Sequence, residues 1–263
     1  TGWCCGPKYW VMLSRIAIPR SNRHIHRQMA TDSLHKTTQE KLAVLRRQID
    51  AVDEQLIDLL KERIEIVNQV AELKRADGSL QCFIRSGREA DILRDIYQQF
   101  DGSKFHPEAA CAMWRLIISA STQHESAMRL LTPQKLEAAA KSYFGDFMPV
   151  AHTETVDDAL AVLAKEPNAL MVLPHWQADA SFWREFAAKR PQSLRVFAAI
   201  PFVGKEPQAF IAANLMPEPS RDDISLFMDE DGKISSRDGY HTESPLAKYW
   251  LGTYARPIEG TPL

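Results

Sequence analysis

The first chemical anomaly of the chain is an arginine where an apolar residue should stand. Apolar residues step by three and four through Leu42, Leu45, Ile49, Val52, Leu56 and Leu59, then Ile66, Val70 and Leu73, and the step after Leu59 lands on Arg63. A cation on a core-facing seam is costly unless it meets an anion. Lys74 lies three helical turns further on, so the two cations share one face, with Cα atoms about 16 Å apart along the axis. Long side chains leaning together could grip a small dianion between them. Arg46 stands about 25 Å before Arg63 and about 100° off that face. It cannot reach the same small ligand in its own chain, but could do so from a partner whose helix runs antiparallel alongside. Blander readings stay open: Arg46 and Lys74 as solvated charges, Arg63 as a buried ion pair with Glu62 or Glu65.

Other polar residues are placed where they could join such a site. Ser86-Gly87-Arg88-Glu89 has capping-box spacing, which by itself accounts for Glu89. Arg88, in the first turn, opposes the helix dipole and so hints at another reason for being there. Ser121 and Glu125 are four residues apart, hence on one helix face, where exposure to solvent is the default reading. Cys4, Cys5, Cys82 and Cys111 show neither metal-ligand spacing nor a disulfide framework. Cys82 and Cys111 read as ordinary thiols of a reducing cytoplasm. No metal or cofactor is expected.

The elements that must hold these residues are helical over 37–127. Thr37-Thr38-Gln39-Glu40 has capping-box spacing at the head of the seam. The pattern then runs to Asp77-Gly78 without Pro or Gly, a helix of roughly 55 Å. That exceeds a small domain, so the seam needs another chain or helices folded back along it. A second helix carries Ile92, Leu93, Ile96 and Tyr97 and ends near Phe100. A third opens at Pro107, suited to a first helical position, and carries Met113, Trp114, Ile117 and Ile118 to about Ala127. After Thr132-Pro133 the texture changes. A helix-like Gln134–Phe144 leads to Gly145, and short apolar runs at Ala169–Leu173, Arg195–Phe202 and Ala209–Leu215 alternate with helical patterns at Val156–Lys165 and Ala178–Lys189. This predicts a small α/β domain over 128–263, of which 217–263 is the least readable part.

Composition sets outer bounds. Hydrophobic residues make up 45% and charged residues 25%, as in an ordinary soluble globular protein. The formal net charge of −2 gives no global case for nucleic acid or an anionic membrane as partner. No apolar run is long enough for a membrane-spanning helix, and a cytoplasmic location is expected. Residues 1–28 carry Lys8, Arg15, Arg20, Arg23 and Arg27 with no acid. A basic targeting peptide is one reading; the other takes Met29 as the natural start. Residues 1–36 are therefore set aside as leader or upstream sequence, expected to be disordered.

Together, Lys41-Leu-Ala-Val-Leu-Arg46, Asp53 to Arg63, Lys74, Gly87-Arg88-Glu89 and Trp114-Arg-Leu-Ile-Ile-Ser-Ala-Ser121 resemble the all-helical, AroQ-class chorismate mutases, with order and spacing kept over about 90 residues. The resemblance implies an intertwined homodimer of three-helix chains, with each site taking Arg46 from the other subunit and Arg63, Lys74, Arg88, Glu89, Ser121 and Glu125 from its own; Arg85 joins the substrate-binding candidates as an extra cation that could assist a carboxylate. It implies chorismate, a dicarboxylate, as substrate and prephenate as product, through a rearrangement that needs no nucleophile, metal or cofactor. Such a site holds the reactive conformer and directs donors at the ether oxygen where negative charge develops. Arg46 and Arg63 would clamp carboxylates, Lys74 would donate to the ether oxygen, and Glu89 would accept from the substrate hydroxyl with Arg88 in support. Ser121 would add a polar contact near a carboxylate. Lys74, Glu125 and Arg63 are thus the expected catalytic set. Two positions depart from the family. Glu125 stands where glutamine is frequent, so it is expected to work protonated, by a raised pKa or at acidic pH. Arg85 stands where some relatives carry an acid.

Residues from about 128 to 215 resemble, more weakly, the prephenate dehydratase domain fused to such mutases. The pieces are Ala140-Lys-Ser-Tyr-Phe-Gly145, Leu170-Met-Val-Leu-Pro174 and Ala209-Phe-Ile-Ala212, and Tyr249 to Tyr254 faintly resembles the end of a regulatory ACT module. The dehydratase's Thr-Arg-Phe falls on Gln208-Ala209-Phe210, so a reduced domain without dehydratase activity is expected. The competing functions are a non-catalytic mutase-like dimer that senses an aromatic metabolite through its second domain, and a plain helical scaffold. A pyruvate-lyase activity on isochorismate is a remoter alternative.

Overall fold

A computed structural model describes residues 20–76, 84–243 and 249–260, with side chains from residue 36 onward. The sequence readings on residues 1–19, on Asp77-Gly78 and on Cys82 lie outside the described residues. The chain divides into two compact units, Thr1–Arg63 and Ile64–Leu263. The division between them falls inside the first helix.

The first unit is described by α1 (Arg20–Ala76), whose 57 residues span about 85 Å at 1.5 Å per residue. The helix does not begin at the Thr37–Glu40 box: that spacing lies mid-helix. No Pro or Gly interrupts the sequence from Arg20 to Ala76, so nothing forces a start at the box. The seam residues Leu42, Leu45, Ile49, Val52, Leu56 and Leu59 are all exposed.

The second unit opens with the last residues of α1, followed by α2 (Ser86–Phe100) and α3 (Pro107–Glu125). After them comes an α/β layer containing β1 (Leu130–Thr132), the 3-10 turn Gln134–Leu136, α4 (Glu137–Phe144), β2 (Val150–His152), α5 (Val156–Leu163), β3 (Leu170–Pro174), α6 (Ala180–Lys189), β4 (Leu194–Ile200), β5 (Ala209–Asn214), β6 (Asp223–Met228), β7 (Ile234–Asp238) and β8 (Tyr249–Ala255). The strands form one sheet in the order β2-β1-β3-β5-β4-β8-β6-β7. The β1/β2, β1/β3 and β4/β8 pairs are parallel; β3/β5, β4/β5, β6/β7 and β6/β8 are antiparallel.

Local chemistry explains the helices of this layer. Thr155 and Asp179 cap α5 and α6, accepting from the N–H groups of Asp158 and Phe182 at 3.1 and 3.0 Å. α4 ends at Gly145, whose φ of 103° an L side chain rarely adopts. One face of the sheet packs on α5 and α6 through Trp183, Phe186, Phe210 and Tyr254, with the Trp183 indole N–H donating to the Pro174 carbonyl at 2.8 Å. The other face packs on α4 through Phe144, Phe197 and Ile211. The stretch 217–263, the least readable part of the sequence, supplies β6, β7 and β8.

Among the described residues, no helix is long and apolar enough to cross a membrane.

Candidate active site

α2 buries Gly87, Ala90, Leu93 and Ile96, a stripe of threes. Gly87 is where its backbone comes closest to the sheet layer: an added Cβ would sit 2.2 Å from the Pro219 carbonyl oxygen. The buried stripe of α3 is small or apolar except at Arg115, and that guanidinium has found an anion. Arg115 Nη1 donates to Glu89 Oε2 at 2.7 Å, with side chains only 8% and 12% exposed. Its Nε donates to Ser119 Oγ at 3.3 Å, and its carbon lies 5.1 and 5.8 Å from the ring centres of Tyr143 and Phe144 on α4. Burial alone would lower the guanidinium's pKa. The adjacent Glu89 carboxylate, together with Tyr143, more than offsets this, and the net shift is upward. Burial likewise pushes the Tyr143 phenol up.

The second oxygen of Glu89 accepts from the backbone N–H of Arg85 at 3.2 Å. Half of the expected capping box thus survives. The other half does not: the N-cap is Arg85, and Ser86 Oγ instead accepts from the N–H of Glu218 at 3.1 Å. Beside Glu89, Arg115 and Ser119 lies a cavity of about 20 Å³, room for about one water.

The other candidates fall into separate neighbourhoods. Arg85, an unexplained extra cation in the sequence, pairs through Nε with Glu218. Arg88 is exposed and faces an open groove with Asp91 and Asp95. At the far end of α3, Ser121 Oγ donates to the Ile117 carbonyl at 2.8 Å. Arg75 Nη2 donates to the Glu125 carbonyl at 3.1 Å, which draws the last turn of α1, Lys74 included, to that end. Lys74 and Glu125 are both half-buried. In the first unit Arg46 is exposed and Arg63 is half-buried, although Leu59 and Ile66, its neighbours on the seam, are 60% and 53% exposed. The structure therefore groups Arg85, Arg88 and Glu89 at the head of α2, and Lys74 with Glu125 at the end of α3. Sequence reasoning missed Arg115. Its signal was available: a cation four residues after Cys111 and three before Ile118, inside an apolar stripe.

In the sheet layer, Ala209 starts β5 between Pro174 of β3 and Ile200 of β4, fully buried. Phe210 is wedged among Trp176, Trp183 and Tyr254. A long side chain at 209 has no room in this packing. Gln208, just outside the strand, is exposed.

A family model described as chorismate mutase type II matches residues 45–126. The chain is 30% identical over 143 residues to a bifunctional chorismate mutase/prephenate dehydratase of Pseudomonas aeruginosa, covering 52% of this chain and 39% of that protein. It is 33% identical over 113 residues to a protein of the same description from Stutzerimonas stutzeri, covering 40% of this chain and 31% of that one. The chain thus spans less than half the length of these relatives. No solved structure matches it. By these matches residues 45–126 are similar to the chorismate mutase type II family, in a chain similar to bifunctional proteins described as chorismate mutase/prephenate dehydratase.

Proposed function

We propose that the chain is a chorismate mutase, converting chorismate to prephenate without metal or cofactor in the cytoplasm, and that it works as a homodimer whose sites take Arg46 from the partner. The family match over 45–126 carries the reading. Two structural features support it. The apolar seam of α1 is exposed over several turns, more apolar surface than a monomer usually leaves in water. Arg63 is withdrawn from solvent on that otherwise exposed seam.

In this reading Arg63 and the partner's Arg46 clamp the two carboxylates, and Lys74 and a protonated Glu125 donate to the ether oxygen as charge develops there. Glu89 accepts from the substrate hydroxyl; it would do so as an already oriented carboxylate, held by Arg115. Arg88 and Ser121 complete the polar wall, and Arg85, tied to Glu218, contributes charge at the edge.

The test is loss of chorismate absorbance with wild type and Arg63→Ala. Removing a charged clamp should lower kcat/KM by about 100-fold or more; equal rates would sink the assignment. A pH–rate profile of wild type against Glu125→Gln checks the protonated glutamate. The wild-type rate should fall as pH rises while the variant holds its rate, and superimposable profiles with full activity at neutral pH would reject it. We further propose that residues 128–263 lack dehydratase activity, supported by Gln208 and Ala209 standing where that family has Thr and Arg. Phenylpyruvate formed from prephenate by the purified protein would overturn this.

A further inference from the structure

A cavity of about 260 Å³ opens between α2, α3, α4 and the β4–β5 connection, distinct from the small void beside Glu89. It exceeds a single-water void by an order of magnitude. Its body is apolar, with Leu93, Phe202, Val203 and the Tyr143 ring among its walls. Two charged side chains line it, Glu108 and Arg115, and they differ in one respect. Arg115 is already neutralised by Glu89 at 2.7 Å. Among the described residues no cation pairs with Glu108: its hydrogen bond is a long one, 3.4 Å, from the neutral Tyr97 hydroxyl. Glu108 sits in the first turn of α3, an acidic side chain at the positive end of the helix dipole. Its charge reaches Cys111 on the cavity wall and its own hydrogen-bond partner Tyr97. Burial first and Glu108 second push the Cys111 thiol up to about 11, and the same two causes raise Tyr97.

A mostly apolar, partly open cavity with one carboxylate at its edge that no described cation neutralises selects its occupant by charge and shape. We propose that this cavity binds a small primary amine with an apolar body. The ammonium pairs with Glu108, and the body lies between Leu93, Phe202 and the Tyr143 ring. A carboxylic acid of the same shape would meet Glu108 as a like charge, and a neutral alcohol would forgo the ion pair. This site involves none of the residues assigned to chorismate, so it stands or falls apart from the mutase reading.

Calorimetric titration of the full chain with 2-phenylethylamine, 2-phenylethanol and 3-phenylpropionate tests the proposal. The amine should bind at least about tenfold more tightly than the alcohol, the worth of one charge-assisted hydrogen bond, and the acid should bind least. Glu108→Gln should remove the amine's advantage over the alcohol. Ala112→Trp, which fills the cavity from an exposed position of α3, should abolish binding of both while leaving the fold's circular dichroism unchanged. Equal affinity for amine and acid, an amine affinity untouched by either substitution, or no binding of the amine in the millimolar range would each overturn it.

Discussion

Removing one partner of the Arg115–Glu89 pair leaves the other charge buried without its counter-ion, beside apolar groups such as Phe144 and Ile84. Arg115→Met should therefore cost about 3–5 kcal/mol in urea unfolding. Adding Glu89→Gln to it should recover much of that loss, because the stranded carboxylate is gone. A cost below about 1 kcal/mol for the single variant would mean that the pair is solvated. Cys111 offers a second check at this scale. It is buried, its thiol pKa is near 11, and its Sγ donates to the Leu93 carbonyl at 3.3 Å. At neutral pH it holds almost no thiolate, the reactive form. Peptide mapping after iodoacetamide treatment should find Cys111 unmodified in the native protein and modified once it is unfolded; native modification at the rate of a free thiol would contradict its placement.

At the scale of elements, α2 is tied to the sheet layer by polar contacts as much as by apolar ones. Arg94 bonds to Asp91, Ser220 and the carbonyls of Asp222 and Arg256, and Arg221 reaches back to Asp91 and Asp95. Burial raises the Asp91 pKa, but the hydrogen bonds from Arg221 and Arg94 outweigh it and the net shift is downward. A carboxylate with a depressed folded-state pKa stabilises above its unfolded value and loses that contribution as pH falls through the folded one. Wild type should thus lose stability below about pH 4, and Asp91→Asn should be weaker by about 1 kcal/mol at neutral pH and flatter on the acid side, since these groups are partly exposed. Urea midpoints measured against pH decide it: parallel acid limbs would exclude Asp91 as the anchor. None of this network could be read from the sequence, because Asp91 and Arg221 are 130 residues apart. The same limit hid the partner of Arg115, since Glu89 lies 26 residues away; the cation itself was visible inside its apolar stripe. What could be read was local. The three-and-four spacing of α1, Pro107 at the head of α3, the helical patterns of α5 and α6, and the apolar runs of β3 to β5 all emerged close to where they were expected. The start of α1 did not, since a capping-box spacing is a signal only where a helix has reason to begin. The strand β7 was illegible because Ile-Ser-Ser-Arg-Asp is an exposed sheet edge with no alternation to read.

For the whole molecule, the exposed seam and Arg46 pose one question. Nine seam positions from Leu42 to Leu73 are exposed, and an antiparallel second copy would cover them while bringing its own Arg46 towards this chain's Arg63. The two arginines then serve one site from different chains, which has a consequence that single variants cannot show. Arg46→Ala and Arg63→Ala should each be inactive alone. Mixed, unfolded together and refolded, they form heterodimers in which one site holds both intact arginines and the other holds neither. With half the dimers mixed and one of two sites restored in each, activity should return to about a quarter of wild type. If both arginines acted from one chain, no pairing of the variants could rebuild a site, and the mixture would stay inactive. Persistent inactivity, in a mixture shown to be dimeric by light scattering, would rule out the cross-subunit arginine while leaving the family match intact.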